Sequence, residues 1–274
     1  MSVTREARLL PSVNQLVQEQ VAAYAQTPTF EVRNHIPDTG DIPGSGKPRH
    51  WLRVEDVICV FVDMKGSTQL SATIHESGTA AIYDLFTGTA VRLFHQFDPA
   101  YIDVRGDGVF ALFDKGQEYR ALAAAVTFKT FAAQNFAMAV RDKTGLNLSA
   151  HIGIDQDTVL VRKVGLKPYR KRTDRQNEVW AGKPINMASK LAALGEADEL
   201  LASDRYFARI THDLVRWSCG CQNGSPTTNR NLLWEARDLT HDARFDFNTA
   251  HRLQTQWCFT HGWDYCDRIL ALDK

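Results

Sequence analysis

The chain has no excess of either charge: 32 Lys+Arg against 32 Asp+Glu leave a formal net charge of zero over 274 residues. Such a chain has no broad electrostatic footprint for nucleic acid or for an anionic membrane. Long hydrophobic runs are missing too. The longest strongly apolar run, Val57 to Val62, is far too short to span a bilayer. The N-terminus, Met1-Ser-Val-Thr-Arg-Glu-Ala-Arg8, is polar and mixed in charge and does not read as a signal peptide. Cysteine is scarce: five residues, an odd number without framework spacing, point to reduced thiols and a cytoplasmic protein. Cys219 and Cys221 form a Cys-x-Cys pair. No second pair or clear histidine partner follows, so they read as loop cysteines rather than metal ligands. The nine histidines show no His-x-x-x-His spacing, and His151 reads as structural. There is no internal repeat and no low-complexity segment.

What is present suffices for one sizeable domain with extensions, since 44% of the residues are hydrophobic. Residues 9–26 form an amphipathic helix, with Val13, Leu16, Val17, Val21 and Tyr24 at helical spacing; it covers its own core or pairs with a partner subunit. Residues 36–50 are a Pro/Gly linker or surface loop without the Gly-Lys-Ser/Thr ending of a phosphate loop. The expected division is an N-terminal helix and linker over 1–50, a main domain over 51–240, and an aromatic-rich helical tail over 241–274. That tail holds Trp257, Phe259, Trp263 and Tyr265.

The main domain is organised around Val57-Ile-Cys-Val-Phe-Val-Asp-Met-Lys-Gly-Ser-Thr68. Six apolar residues running into an aspartate read as a buried central strand. Gly66 lets the backbone pass close to a ligand, and Ser67 or Thr68 can cap the following helix. Asp63 either caps that helix or holds a metal-bound polyphosphate. A second stretch, Tyr101 to Phe113, alternates apolar and polar residues about Arg105-Gly-Asp-Gly108, a hairpin with a Gly-Asp-Gly turn. One acidic residue ending a strand and another at a hairpin turn supply what two-metal phosphoryl transfer needs.

The helical stripe over 71–97 and the broad apolar face over 117–143 predict two long helices. Leu146 to Ile154 reads as a strand, with Thr158 to Val164 as its partner. The order strand, helix, hairpin, helix, strand describes an α+β, ferredoxin-like split βαβ sandwich with both helices on one face. Asp63 and Asp107 would then meet on adjacent central strands. The basic run Lys167, Arg170, Lys171, Arg172 and Arg175 is either a solvated loop or a phosphate contact. Asn186 and Lys190, four apart, face one side of a helix.

Phe61-Val-Asp-Met-Lys-Gly-Ser-Thr68, Arg105-Gly-Asp107, Ala150-His-Ile-Gly-Ile-Asp155 with Val159-Leu-Val161 and Gly165, and Gly182-Lys-Pro-Ile-Asn-Met-Ala-Ser-Lys-Leu191 resemble, in that order, the class III nucleotidyl cyclases. The resemblance covers residues 53 to 210. Within the family the chain is most similar to the pyrimidine cyclases of bacterial Pycsar antiphage systems. The resemblance implies a nucleoside triphosphate substrate, cyclised by its own 3′-hydroxyl with loss of diphosphate. It implies two Mn²⁺ or Mg²⁺ ions on Asp63, Asp107 and the Met64 carbonyl. It also implies nucleotide contacts from Phe61, Arg105 and the Lys65, Gly66, Ser67 and Thr68 segment. Asn186 would orient the ribose, and Lys190 stands where the family usually has a transition-state arginine. Each site would be shared by two subunits of a homodimer. The product would be a second messenger read by a separate receptor in antiviral defence.

Base choice departs from the adenylate cyclases. Asp103 stands where they carry lysine, and Val179, flanked by Glu178 and Trp180, where they carry aspartate. Asp103 can accept from uracil N3–H or the cytosine amine but not from adenine N1. Trp180 would shrink the pocket against purines. The expectation is a pyrimidine triphosphate, UTP ahead of CTP, with GTP still open. Competing readings are a cyclase fold kept only for nucleotide sensing or dimerisation, and a polymerase-type palm or cyclic-dinucleotide synthase.

Overall fold

The computed structural model describes residues 9–44, 46–47, 49–166, 175–222 and 225–273. In chain order, α1 (Pro11–Tyr24) and β1 (Thr29–Arg33) precede β2 (His50–Lys65). Helices α2 (Ser67–Thr73), α3 (Glu76–Tyr83) and α4 (Thr89–His95) lead to the hairpin β3 (Tyr101–Arg105) and β4 (Gly108–Phe113). Then come α5 (Glu118–Phe131), α6 (Ala137–Thr144), β5 (Ser149–Gly165), β6 (Gln176–Gly182), α7 (Lys183–Leu194) and β7 (Glu199–Ser203). The remainder is α8 (Asp204–Phe207), α9 (Asp213–Arg216), the small pair β8 (Cys221–Gln222) and β9 (Ser225–Pro226), β10 (Trp234–Asp238), β11 (Thr249–Leu253) and α10 (Gly262–Leu270).

Among the described residues one sheet runs β10-β11-β7-β5-β2-β4-β3, with β1 and β6 added beside β2 and β5. β2 is central because it is apolar on both faces. Ile58, Val60, Val62 and Met64 enter one core cluster, while Val57 and Cys59 enter another on the opposite face. The first cluster holds Phe86, Phe94, Phe128 and Phe136, so the α3–α4 and α5–α6 segments cover one face together, as the split βαβ order predicts. Each segment is a long helix interrupted by a π turn, Asp84–Gly88 and Ala132–Phe136. These turns meet: the Phe86 and Phe136 rings pack edge-on at 5.0 Å. Gly145, at φ +75° beyond α6, ends the second segment by donating to the Arg141 carbonyl at 2.8 Å.

The opposite face carries α7. Its approach is set by Gly153 of β5, where a Cβ would lie 1.9 Å from the Ala188 carbonyl oxygen. Only glycine leaves room for the helix there.

Three expectations change. Residues 146–154 and 158–164 do not pair as two strands; one strand, Ser149–Gly165, runs through both, pairing first with β2 and then also with β6. Gln156-Asp-Thr158 contains no turn-forming glycine or proline, and the strand passes through it with a register shift against Val54 and Val57 of β2 instead of a turn. The tail is not wholly helical, because Thr249–Leu253 inserts between β10 and β7. β7 would otherwise leave an open edge, and an open edge takes a partner. Lastly, α1 does not cover its own core. None of its residues is buried, and Leu16, Val21 and Tyr24 are 55%, 63% and 83% exposed. Residues 36–44 are a loop with a short 3-10 turn, Thr39–Asp41, pinned by the buried Ile36 and Ile42.

Candidate active site

β2 delivers Asp63 near its C-terminal end, on the face it shares with Cys59 and Phe61. β4 lies antiparallel beside it, and the β3–β4 turn carries Asp107. A Cβ on Gly108 would lie 2.9 Å from the Phe61 ring and 3.4 Å from Asp63 Oδ1. The second glycine of the Gly-Asp-Gly turn therefore lets both side chains lie against the hairpin. Burial, and after it the charge of Asp107, pushes the Asp63 carboxyl up to about 6, against an amide hydrogen bond from Met64 that opposes the shift. The Tyr83 hydroxyl is likewise pushed up, by burial and by the charges of Asp107 and Asp63. A carboxyl whose ionisation is opposed by a second carboxylate beside it is part of a donor set that suits hard divalent cations.

Gly66 follows in the left-handed region, at φ +90°, and is itself the N-cap of α2. No side chain caps that helix. Asp63 is therefore not a helix cap, and neither Ser67 nor Thr68 fills that role. Ser67 is already the first helical residue and Thr68 the second, past the capping position. Lys65, on the Asp63 face of β2, is held by Glu196 at 3.1 Å.

Beside this corner an open cleft of about 500 Å³ is lined by Phe61, Arg105, Phe110, Glu178, Trp180 and Asn186, among others. Its size suits a nucleoside. β3, β4, β6 and α7 all contribute, so residues far apart in sequence converge here. Trp180 is buried and stacks obliquely on Tyr101, with ring centroids 4.5 Å apart. Asp103 does not line the cleft. Its carboxylate meets Arg105 at 2.7 Å and accepts from the Val104 amide at 2.9 Å. Glu178 is the acid the cleft presents, and Arg105, paired with Asp103, lines the same cleft. Tyr101 sits under this group, and its hydroxyl is pushed well up by burial, with Asp103 and Glu178 contributing.

Asn186 is exposed on the first turns of α7 and lines the cleft. Lys190, one turn on, donates from Nζ to the Arg244 carbonyl at 2.8 Å. Nothing in the sequence near Lys190 announces this, since Arg244 lies in the loop between β10 and β11. The same loop supplies Asp246, which pairs with Lys183 at 2.8 Å and Arg205 at 3.0 Å. Arg205 also grips the fully buried Asp155 through two bonds of 2.8 and 2.5 Å. This network holds the start of α7, and with it Asn186, against β5. His151 stands opposite Asp63 across the β2–β5 ladder; its imidazole is held below the usual range by burial and then by Lys65. Of the basic run, Lys167, Arg170, Lys171 and Arg172 lie outside the described residues. Arg175 is exposed at the edge of β6.

Comparison with known proteins fixes the family. No protein-family model matches. A uridylate cyclase of Micromonospora echinofusca is 32% identical over 259 residues, 91% of this chain and 80% of that protein. One from Propioniciclava tarda is 34% identical over 241 residues, 85% of this chain and 74% of that protein. In fold the chain resembles the adenylyl cyclase CyaB from P. aeruginosa, with a TM-score of 0.57 at 16% identity over 74% of this chain and 94% of that one. A strand-end aspartate with a hairpin aspartate beside it, next to a cleft lined by an asparagine-bearing helix, thus comes with relatives matched along most of their length: the chain belongs to the uridylate cyclases, nucleotidyl cyclases built on the class III catalytic fold.

Proposed function

We propose that the protein converts UTP into 3′,5′-cyclic UMP and diphosphate, in the cytoplasm, as a homodimer whose two sites each draw on both subunits. The observation that carries the base choice is one cleft lined by both an acidic and a guanidinium side chain, Glu178 and Arg105. Uracil offers an N3–H donor flanked by two carbonyl acceptors. Glu178 accepts from N3–H while Arg105 donates to a neighbouring carbonyl. Adenine N1 is an acceptor and would face a carboxylate without a proton between them. Asp103 holds Arg105 in place, and Phe61, Phe110 and Trp180 give the flat base apolar walls.

Asp63 and Asp107, with the Met64 carbonyl, would hold two divalent cations, Mg²⁺ or Mn²⁺, which supply charge neutralisation at the triphosphate and acidify the 3′-hydroxyl. The backbone from Lys65 to Thr68 then lies where the phosphates must pass. Asn186 orients the ribose by hydrogen bonds. Lys190 places its ammonium against the charge that builds on the transferring phosphoryl group, as a point charge rather than a planar fork. Support for the dimer comes from α1, whose apolar face, including Leu16 and Val21, has no cover among the described residues. Use of the product as a messenger in antiviral defence, read by a separate receptor, is part of the same proposal and rests on the resemblance.

Incubating the purified protein with each of the four ribonucleoside triphosphates and Mn²⁺ tests the reading. Cyclic UMP should dominate, and Asp107→Ala should release no diphosphate. A cyclic purine nucleotide as main product, or diphosphate release that survives Asp107→Ala, would sink it.

A further inference from the structure

Two cysteines that read as loop residues acquire partners once the chain is folded. Cys219 and Cys221 come together with Cys258 and His261, and one ligand atom from each lies within 4.8 Å of all the others. Among the described residues no other group of three or more Cys, His, Asp or Glu side chains meets that condition. The Cys221 sulfur and His261 Nδ1 are 3.1 Å apart. Tetrahedral coordination at a Zn–S distance of about 2.3 Å puts neighbouring sulfurs about 3.8 Å from each other, so the four atoms need to move by little more than bond-length adjustments to close on an ion.

The backbone on both sides is shaped for this. Between the paired cysteines, Gly220 has φ +87°, and a Cβ there would lie 2.6 Å from the Thr227 carbonyl oxygen. The left-handed glycine turns the chain so that two thiols one residue apart converge. Its own carbonyl accepts from Thr227 N at 3.0 Å, which folds the loop back on itself. On the other side Cys258 and His261 occupy one turn, closed by the Gly262 amide donating to the Cys258 carbonyl at 2.7 Å, and α10 leaves directly from it.

We propose that Cys219, Cys221, Cys258 and His261 bind one structural zinc ion, distinct from the divalent cations of the nucleotide site. Three thiolates and an imidazole with no open position are a closed structural set that favours a soft-to-borderline metal over Mg²⁺ or Mn²⁺. The ion ties the loop after α9 to the segment that launches α10. That helix packs on α5 and α9, and beyond it Asp273 accepts from the Tyr119 and Arg120 amides at 3.0 and 2.6 Å. Trp257 and Tyr265 pack on the core cluster of the helix-covered sheet face, whereas the nucleotide cleft draws Phe61, Phe110 and Trp180 from the other. The clamp therefore secures the C-terminal segment without touching substrate.

The test is metal content of the full chain purified without added metal and dialysed against metal-free buffer. About one zinc per chain is expected, falling below about a tenth in Cys219→Ser/Cys221→Ser, while Asp63→Asn keeps its zinc. Because the double variant could fail to fold, Co²⁺ exchanged into the wild-type protein provides a second reading. Tetrahedral ligand-field absorption together with thiolate charge-transfer bands is expected. Substoichiometric zinc that titration with Zn²⁺ does not restore, or octahedral cobalt without charge-transfer bands, would overturn the proposal. So would loss of two free thiols to a disulfide in the metal-free protein purified under reducing conditions. Failure here leaves cyclase turnover intact as a separate question, and loss of turnover in Asp107→Ala leaves the zinc count unchanged.

Discussion

Replacing Asp63 with asparagine should make the metal-free protein more stable at pH 8 and leave it unable to turn over substrate. In the folded chain burial and the Asp107 charge lift the Asp63 carboxyl from 3.8 to about 6. An acid raised in the folded state contributes stability when protonated. That contribution is complete below about pH 4 and is lost as the pH rises through about 6. The full difference corresponds to about 3 kcal/mol. Asp63 is only partly buried, and solvent screening reduces the figure to about 1–2 kcal/mol. Asparagine keeps the shape and removes the charge. At about 2–4 °C per kcal/mol for a chain of this size class, the variant should melt about 2–8 °C higher than wild type at pH 8. At about pH 3.5, below the unfolded value, the two should nearly coincide. Thermal unfolding followed by circular dichroism with a chelator present reads both. Adding Mn²⁺ should then raise the wild-type midpoint and not the variant's. A variant that melts lower at pH 8, or that gains equally at both pH values, would refute the account of an Asp63 carboxylate disfavoured by burial and by Asp107.

Arg205→Met should cost about 3 kcal/mol in denaturant unfolding, because it strands the fully buried Asp155 carboxylate. Burial already raises that carboxyl, so the deficit should shrink as the pH falls and Asp155 takes up a proton; a deficit independent of pH would count against the mechanism. Glu178→Gln should lower kcat/KM for UTP about ten- to a hundredfold with little change in stability, and an unchanged value would remove Glu178 from base recognition. Gly153→Ala must displace α7, since the added methyl would sit 1.9 Å from the Ala188 carbonyl oxygen; turnover should fall more than the melting temperature suggests.

The central sandwich could be read in advance because its signals are local. Val57 to Val62 is a buried strand by composition, Arg105-Gly-Asp-Gly108 is a turn by its glycines, and the phenylalanine stripes of the two long helices fall at helical spacing. Asp63 and Asp107 were placed together by topology alone, and the structure brings them together. What escaped was long-range. That Glu178 rather than Asp103 is the acid lining the cleft emerges only when β6 docks on β5. Lys190 finds its acceptor 54 positions away in the loop before β11, a stretch whose sequence resembles a tail. The metal-ligand cluster was hidden for the same reason: Cys219-x-Cys221 looks incomplete until Cys258-x-x-His261 returns across the fold. The continuity of β5 was missed because a strand that changes partners midway carries no turn to mark the change.

The contact between Gly153 and Ala188 has a bearing on redesign. Backbone sits on backbone there, so the gap between sheet and helix is already at its minimum and cannot be tuned by trimming side chains. Attempts to admit larger bases should leave the Gly153–Ala188 contact alone and work instead on the strand-borne wall, where Phe110 and Trp180 line the cleft.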